Sequence, residues 1–72
     1  MTLRFAILKE VMLGFLTPQD SYDLFVKPGD GTLEFDGSDI VLVSPSGERR
    51  TSHTVNHALT LWVEDGSIRP LS

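Results

Sequence analysis

The stretch LRFAILKEVMLGFL, Leu3 to Leu16, decides how this chain is read. Placed on a helix, Leu3, Ile7, Leu8, Val11 and Phe15 share one face, while Ala6, Lys9 and Glu10 occupy the other. Leu13 falls among those polar residues and Met12 at the margin. Such a helix is apolar around more of its circumference than one small core can cover, which implies a second buried contact. A strand reading competes over residues 2–8, where Leu3, Phe5 and Ile7 alternate with Thr2, Arg4 and Ala6. The whole apolar run is longer than a usual strand, so a helix is the expectation.

Downstream, Thr17-Pro18 closes the run, because proline restricts the residue before it and cannot continue a helix. Thr17-Pro18-Gln19-Asp20 has the form of a helix start, with Thr17 as cap and Pro18 at the first position. Tyr22, Leu24 and Val26 alternate with Asp23 and Phe25 as in a strand. A short helical turn leading into a strand over 22–27 satisfies both signals. Three turn sequences follow: Pro28-Gly29-Asp30-Gly31, Asp36-Gly37-Ser38-Asp39 and Ser44-Pro45-Ser46-Gly47. Between them, Thr32–Phe35 and Ile40–Val43 read as strands, the second central because it is continuously apolar, and Arg49–Thr51 adds a short edge segment.

In SHTVNHALTLWVEDG, Ser52 to Gly66, the residues Val55, Ala58, Leu59, Trp62 and Val63 recur at helical spacing. Thr51 or Ser52 would cap that helix and Gly66 would stop it. Residues 67–72 then form a tail. The expected fold class is α+β, a single domain over 1–72 with an N-terminal helix, an antiparallel β-meander of three to four short strands, and a C-terminal amphipathic helix packed on the sheet.

The formal charge of −4 disfavours non-specific attachment to nucleic acid or anionic lipid. Its distribution is uneven. Asp20, Asp23, Asp30, Glu34, Asp36 and Asp39 share a stretch whose only cation is Lys27, whereas Arg49, Arg50, His53 and His57 cluster later. There is no cysteine, so neither a disulfide nor a thiolate zinc site is available, as is usual for a reducing compartment. Lys9 and Glu10 interrupt the N-terminal apolar run where a signal peptide would need continuity, and the run is too short to span a bilayer. A cytoplasmic protein is expected.

His53 and His57, four residues apart on the expected helix, could grip one metal ion, but no third ligand follows at fixed spacing and no metal or other cofactor is expected. Arg49, Arg50, His53, Asn56 and His57 would surround a helix N-terminus, where an anion or a nucleic-acid backbone could dock. The acidic turns lack the glycine spacing of a calcium loop. There is no nucleophile elbow, phosphate loop or dinucleotide glycine pattern, so an enzyme is not expected.

The leading expectation is a small non-catalytic interaction module that regulates or inhibits a partner protein, with Met12, Leu13, Phe25 and Leu61 as surplus apolar residues at the contact, and with a homodimer as one form of it. The alternative is a nucleic-acid-binding regulator using residues 49–57. With Trp62 at the centre of the helical stripe, Trp62→Ala is expected to cost about 3–5 kcal/mol.

Overall fold

The computed structural model describes residues 2–71. It is mostly sheet. Five antiparallel strands, β1 (Leu3–Ile7), β4 (Thr32–Phe35), β5 (Ile40–Val43), β6 (Arg49–Ser52) and β7 (Ile68–Leu71), lie in the order β6-β5-β4-β1-β7. Two more, β2 (Val11–Leu16) and β3 (Ser21–Val26), form a separate hairpin inserted between the neighbours β1 and β4. One helix, α1 (His57–Glu64), joins β6 to β7.

The expected N-terminal helix does not form. Residues 3–16 are two strands, β1 and β2, with Leu8 to Glu10 as the turn between them. The physical reason lies in the period. Phe5, Ile7, Val11, Leu13 and Phe15 all hold odd positions and all are buried, and Lys9 breaks that series where the chain turns. A helix would have scattered these side chains around its circumference; two strands put them on one side each. The turn is fastened by the Leu8 and Lys9 amides, which both donate to the Ser67 carbonyl at 2.7 and 3.0 Å.

Thr17-Pro18-Gln19-Asp20 likewise starts no helix. It is the turn of the β2–β3 hairpin, in which the Thr17 amide donates to the Asp20 carbonyl at 2.7 Å and the Thr17 hydroxyl accepts from the Asp20 amide at 2.9 Å. The three later turns lie where turn chemistry places them. Asp36 Oδ1 accepts from the Ser38 and Asp39 amides, and the Gly47 amide donates to the Ser44 carbonyl. At Gly31, φ is +132° and a Cβ would overlap the Val43 carbonyl oxygen, so this position requires glycine.

Two further expectations change. β5 is second from the edge, and β4 is the middle strand. Residues 68–71 are no tail: they pair with β1, Ile68 opposite Ile7 and Leu71 opposite Arg4. The C-terminal helix is also shorter than its apolar stripe. Arg49–Ser52 is taken by β6, and the Ser52 hydroxyl is buried in hydrogen bonds to the Gly14 carbonyl and Thr54 Oγ1, so it cannot cap a helix. The helix begins after Asn56, which makes no side-chain cap bond. Its other end follows the sequence: Gly66 is left-handed at φ +81°, the Ser67 amide donates to the Trp62 carbonyl and the Gly66 amide to that of Val63, a Schellman closure.

The core lies between the inner face of the five-stranded sheet and the hairpin folded over it. Phe5, Leu33 and Leu42 form one cross-strand row; Ile40, Ile7 and Ile68 extend it. The hairpin supplies Val11, Leu13, Phe15 and Val26, and α1 supplies Leu59, with Trp62 half-buried against the cluster. Leu13 is completely buried, so it is a core residue and not part of an exposed patch.

This arrangement places the more sensitive position in the hairpin, at Leu13. Leu13→Ala is expected to cost about 2–5 kcal/mol and to exceed the cost of Trp62→Ala, whose ring is partly in solvent. Denaturant midpoints of the two variants check this; a larger loss at Trp62 would restore the helical stripe to the centre of the core.

Candidate functional site

The hairpin has an inner and an outer face. Register pairs Val11 with Val26, Leu13 with Leu24 and Phe15 with Tyr22 on the inner one, the last two rings stacking with centroids 5.4 Å apart. On the outer face Met12 stands opposite Phe25, Gly14 opposite Asp23 and Leu16 opposite Ser21. Met12 and Phe25 remain 48% and 57% exposed, although cross-strand neighbours of this kind can shield each other. Leu16 is more exposed still.

Gly14 occupies the middle of this outer face because another group lies over it. A Cβ there would come within 2.8 Å of His53 Cε1, so the imidazole covers the glycine. The backbone holds that placement: the His53 amide donates to the Gly14 carbonyl at 2.9 Å, and the Gly14 amide donates to Thr54 Oγ1 at 2.7 Å. Two sets of residues that look unrelated in sequence thus meet, with His53 between the Met12–Phe25 pair and Leu16.

Beside Phe25 the surface dips into a cleft of about 320 Å³ between the hairpin and β5–β6. Leu24, Phe25, Val26 and Leu42 line its apolar part; Asp30, Ser44, Glu48 and Arg50 line its polar part. Arg50 pairs in register with Leu42 on the inner side of the sheet, and its Nε lies 3.5 Å from Glu48 Oε1.

The remaining candidates are dispersed. Arg49 points to the opposite side of β6 from Arg50 and donates from Nη2 to Glu34 Oε1 at 2.8 Å. Asn56 and His57 sit at the start of α1, where with Leu3, Phe5, Phe35, Leu59, Thr60, Val63 and Glu64 they line a second groove of about 500 Å³. Leu61 is exposed, on the helix that packs against β7, and neither cleft includes it with Met12 and Phe25. His53 and His57 are not on one helical face, since only His57 is in α1. Among the described residues, no group of three His, Cys, Asp or Glu side chains converges as a metal site.

Leu16 and the Leu24–Leu42–Arg50 cleft are the parts that sequence reasoning overlooked. The signal for Leu16 was available: once odd positions of β2 are assigned inward, Met12, Gly14 and Leu16 must face outward. The cleft joins residues far apart in the chain, and nothing local announces it. No family model, curated protein or solved structure matches the chain.

Ionised groups here serve mainly to hold local structure. The Arg49 hydrogen bond keeps the Glu34 carboxyl below its ordinary value, with the charges of Arg49 and Arg4 adding to it. Backbone amides of Asp39 and Ser38 lower Asp36, and hydrogen bonds from Ser67 lower Asp65. A carboxyl whose folded value is depressed contributes stability above its unfolded value and loses it as pH falls through the folded one. For Glu34 that window begins at the ordinary 4.5 and extends below it. Acid titration of stability for Glu34→Gln is therefore expected to show a shallower loss below pH 4.5 than wild type, with the two curves running parallel above it.

Proposed function

We propose that this protein is a non-catalytic interaction module of the cytoplasm, which regulates or inhibits a partner protein, or pairs with a second copy, through the outer face of the β2–β3 hairpin. The observation that carries this reading is the exposed Met12–Phe25 pair, flanked by Leu16 and His53 and continuous through Phe25 with the cleft. Methionine and aromatic side chains are favoured anchors at protein contacts, because they bury large area with adaptable or rigid shapes. The cleft, with an apolar floor at Leu24 and Leu42, suits an apolar side chain. Leu13 drops out of the contact set because it is buried, and Leu61 stands apart from it. Lack of cysteine supports the choice of compartment.

The nucleic-acid reading has less support. Arg49 and Arg50 lie on opposite sides of β6, each with a carboxylate neighbour, and His53 is engaged over Gly14.

The test is Met12→Thr with Phe25→Thr, both substitutions being at exposed positions and to a residue that strands favour. The double variant is expected to keep the wild-type melting temperature within a few degrees while losing concentration-dependent self-association in sedimentation, or losing a partner retained by immobilised wild type. A wild-type protein that stays monomeric at high concentration and retains no partner that the variant fails to retain would overturn the proposal.

A further inference from the structure

The outer face of the five-stranded sheet has not entered the reading above, and its composition is unlike that of the chain as a whole. Register places Leu71, Arg4, Glu34, Val41 and Thr51 in one cross-strand row, and Arg69, Ala6, Thr32, Val43 and Arg49 in the next. Side chains in directly opposed positions point to the same face, so both rows share it. This face therefore carries three arginines and one glutamate, a positive surface on a chain whose formal charge is −4.

The charges on it are not balanced. Glu34 is half-buried between Arg4, directly opposite on β1, and Arg49, which reaches over β5 to bond it at 2.8 Å. Arg4 and Arg69 are diagonal neighbours on adjacent strands, both exposed, and among the described residues neither has a carboxylate within ion-pair distance. Arg4 stands opposite Glu34, which Arg49 already bonds, and Arg69 stands opposite the uncharged Ala6, so this end of the face keeps an excess of positive charge that an anionic ligand would offset. The floor between Arg69 and Arg49 is made of Ala6, Thr32 and Val43, with Val41 and Thr51 beside them. These are short side chains, and an extended chain can lie across them.

We propose that the outer sheet face is a docking surface for an acidic, extended segment of a partner protein, whose carboxylates are held by Arg4 and Arg69. Charge complementarity selects the sign of the occupant, and the guanidinium fork suits a carboxylate bidentately. A nucleic-acid strand is the poorer fit: among the described residues no aromatic side chain stands on this face to stack a base. This surface is on the far side of the sheet from the core and the hairpin, and it is independent of the Met12–Phe25 reading.

The experiment uses the 72-residue chain at low salt with two labelled probes of equal length, a peptide alternating glutamate and threonine and an oligothymidylate. Wild type is expected to bind the peptide in preference to the oligonucleotide. Arg4→Gln with Arg69→Gln is expected to weaken peptide binding about tenfold. Lys9→Gln with Lys27→Gln, an equal loss of charge away from this face, is expected to leave it within about twofold. Unchanged thermal melting of both double variants keeps the comparison about binding. Failure to bind the peptide, equal weakening by the lysine pair, or tighter binding of the oligonucleotide would each overturn the proposal.

Discussion

The β2–β3 hairpin is clasped to the end of β6 at Gly14. The Gly14 carbonyl accepts from the His53 amide at 2.9 Å and from the buried Ser52 hydroxyl at 2.7 Å, while the Gly14 amide donates to Thr54 Oγ1. A two-stranded hairpin alone is marginal in water, and it becomes stable only when its apolar face is covered. The clasp sets that cover in place: with β2 tied to the end of β6, Val11, Leu13 and Phe15 face Leu33, Ile40 and Leu42 across the core. Glycine suits the joint because any side chain would meet the His53 ring.

The same joint explains where the surfaces fall. Facing the odd-numbered residues of β2 inward forces Met12 and Leu16 outward, and bringing the end of β6 to Gly14 carries His53 onto that face. Because Arg50 points toward the hairpin and Arg49 away from it, the sheet acquires two chemically different sides. One has apolar anchors and a cleft; the other is flat and arginine-rich. An acidic chain of 72 residues thus presents two unlike surfaces, separated by a single sheet.

Much of the latter half was legible from sequence, for local reasons. Turns at 28–31, 36–39 and 44–47 are governed by glycine conformation and by aspartate and serine bonding nearby amides, which operate within four residues. The strands between them, and the stop at Gly66, followed from the same short-range rules. Residues 3–16 misled because their even positions are also apolar: Ala6, Leu8, Met12 and Leu16 fill the gaps in the alternation, and a dense apolar run resembles a helix. Only the pairing of β1 with β4 and β7, at long range, reveals the period of two. At the candidate site, Met12 and Phe25 were legible as surplus apolar residues. Leu13 was not separable from Met12 until the face was known, and the Arg4–Arg69 pair depends on a register between the two ends of the chain.

Amide hydrogen exchange at Gly14 and His53 tests the clasp most directly. If the hairpin is an integral cover of the core, these two amides exchange only with global opening, as slowly as those of Leu33 and Leu42 in the sheet. Exchange of Gly14 and His53 at the rate of the exposed Gly37 turn, while Leu33 and Leu42 stay protected, would show that the hairpin opens independently and would contradict the account.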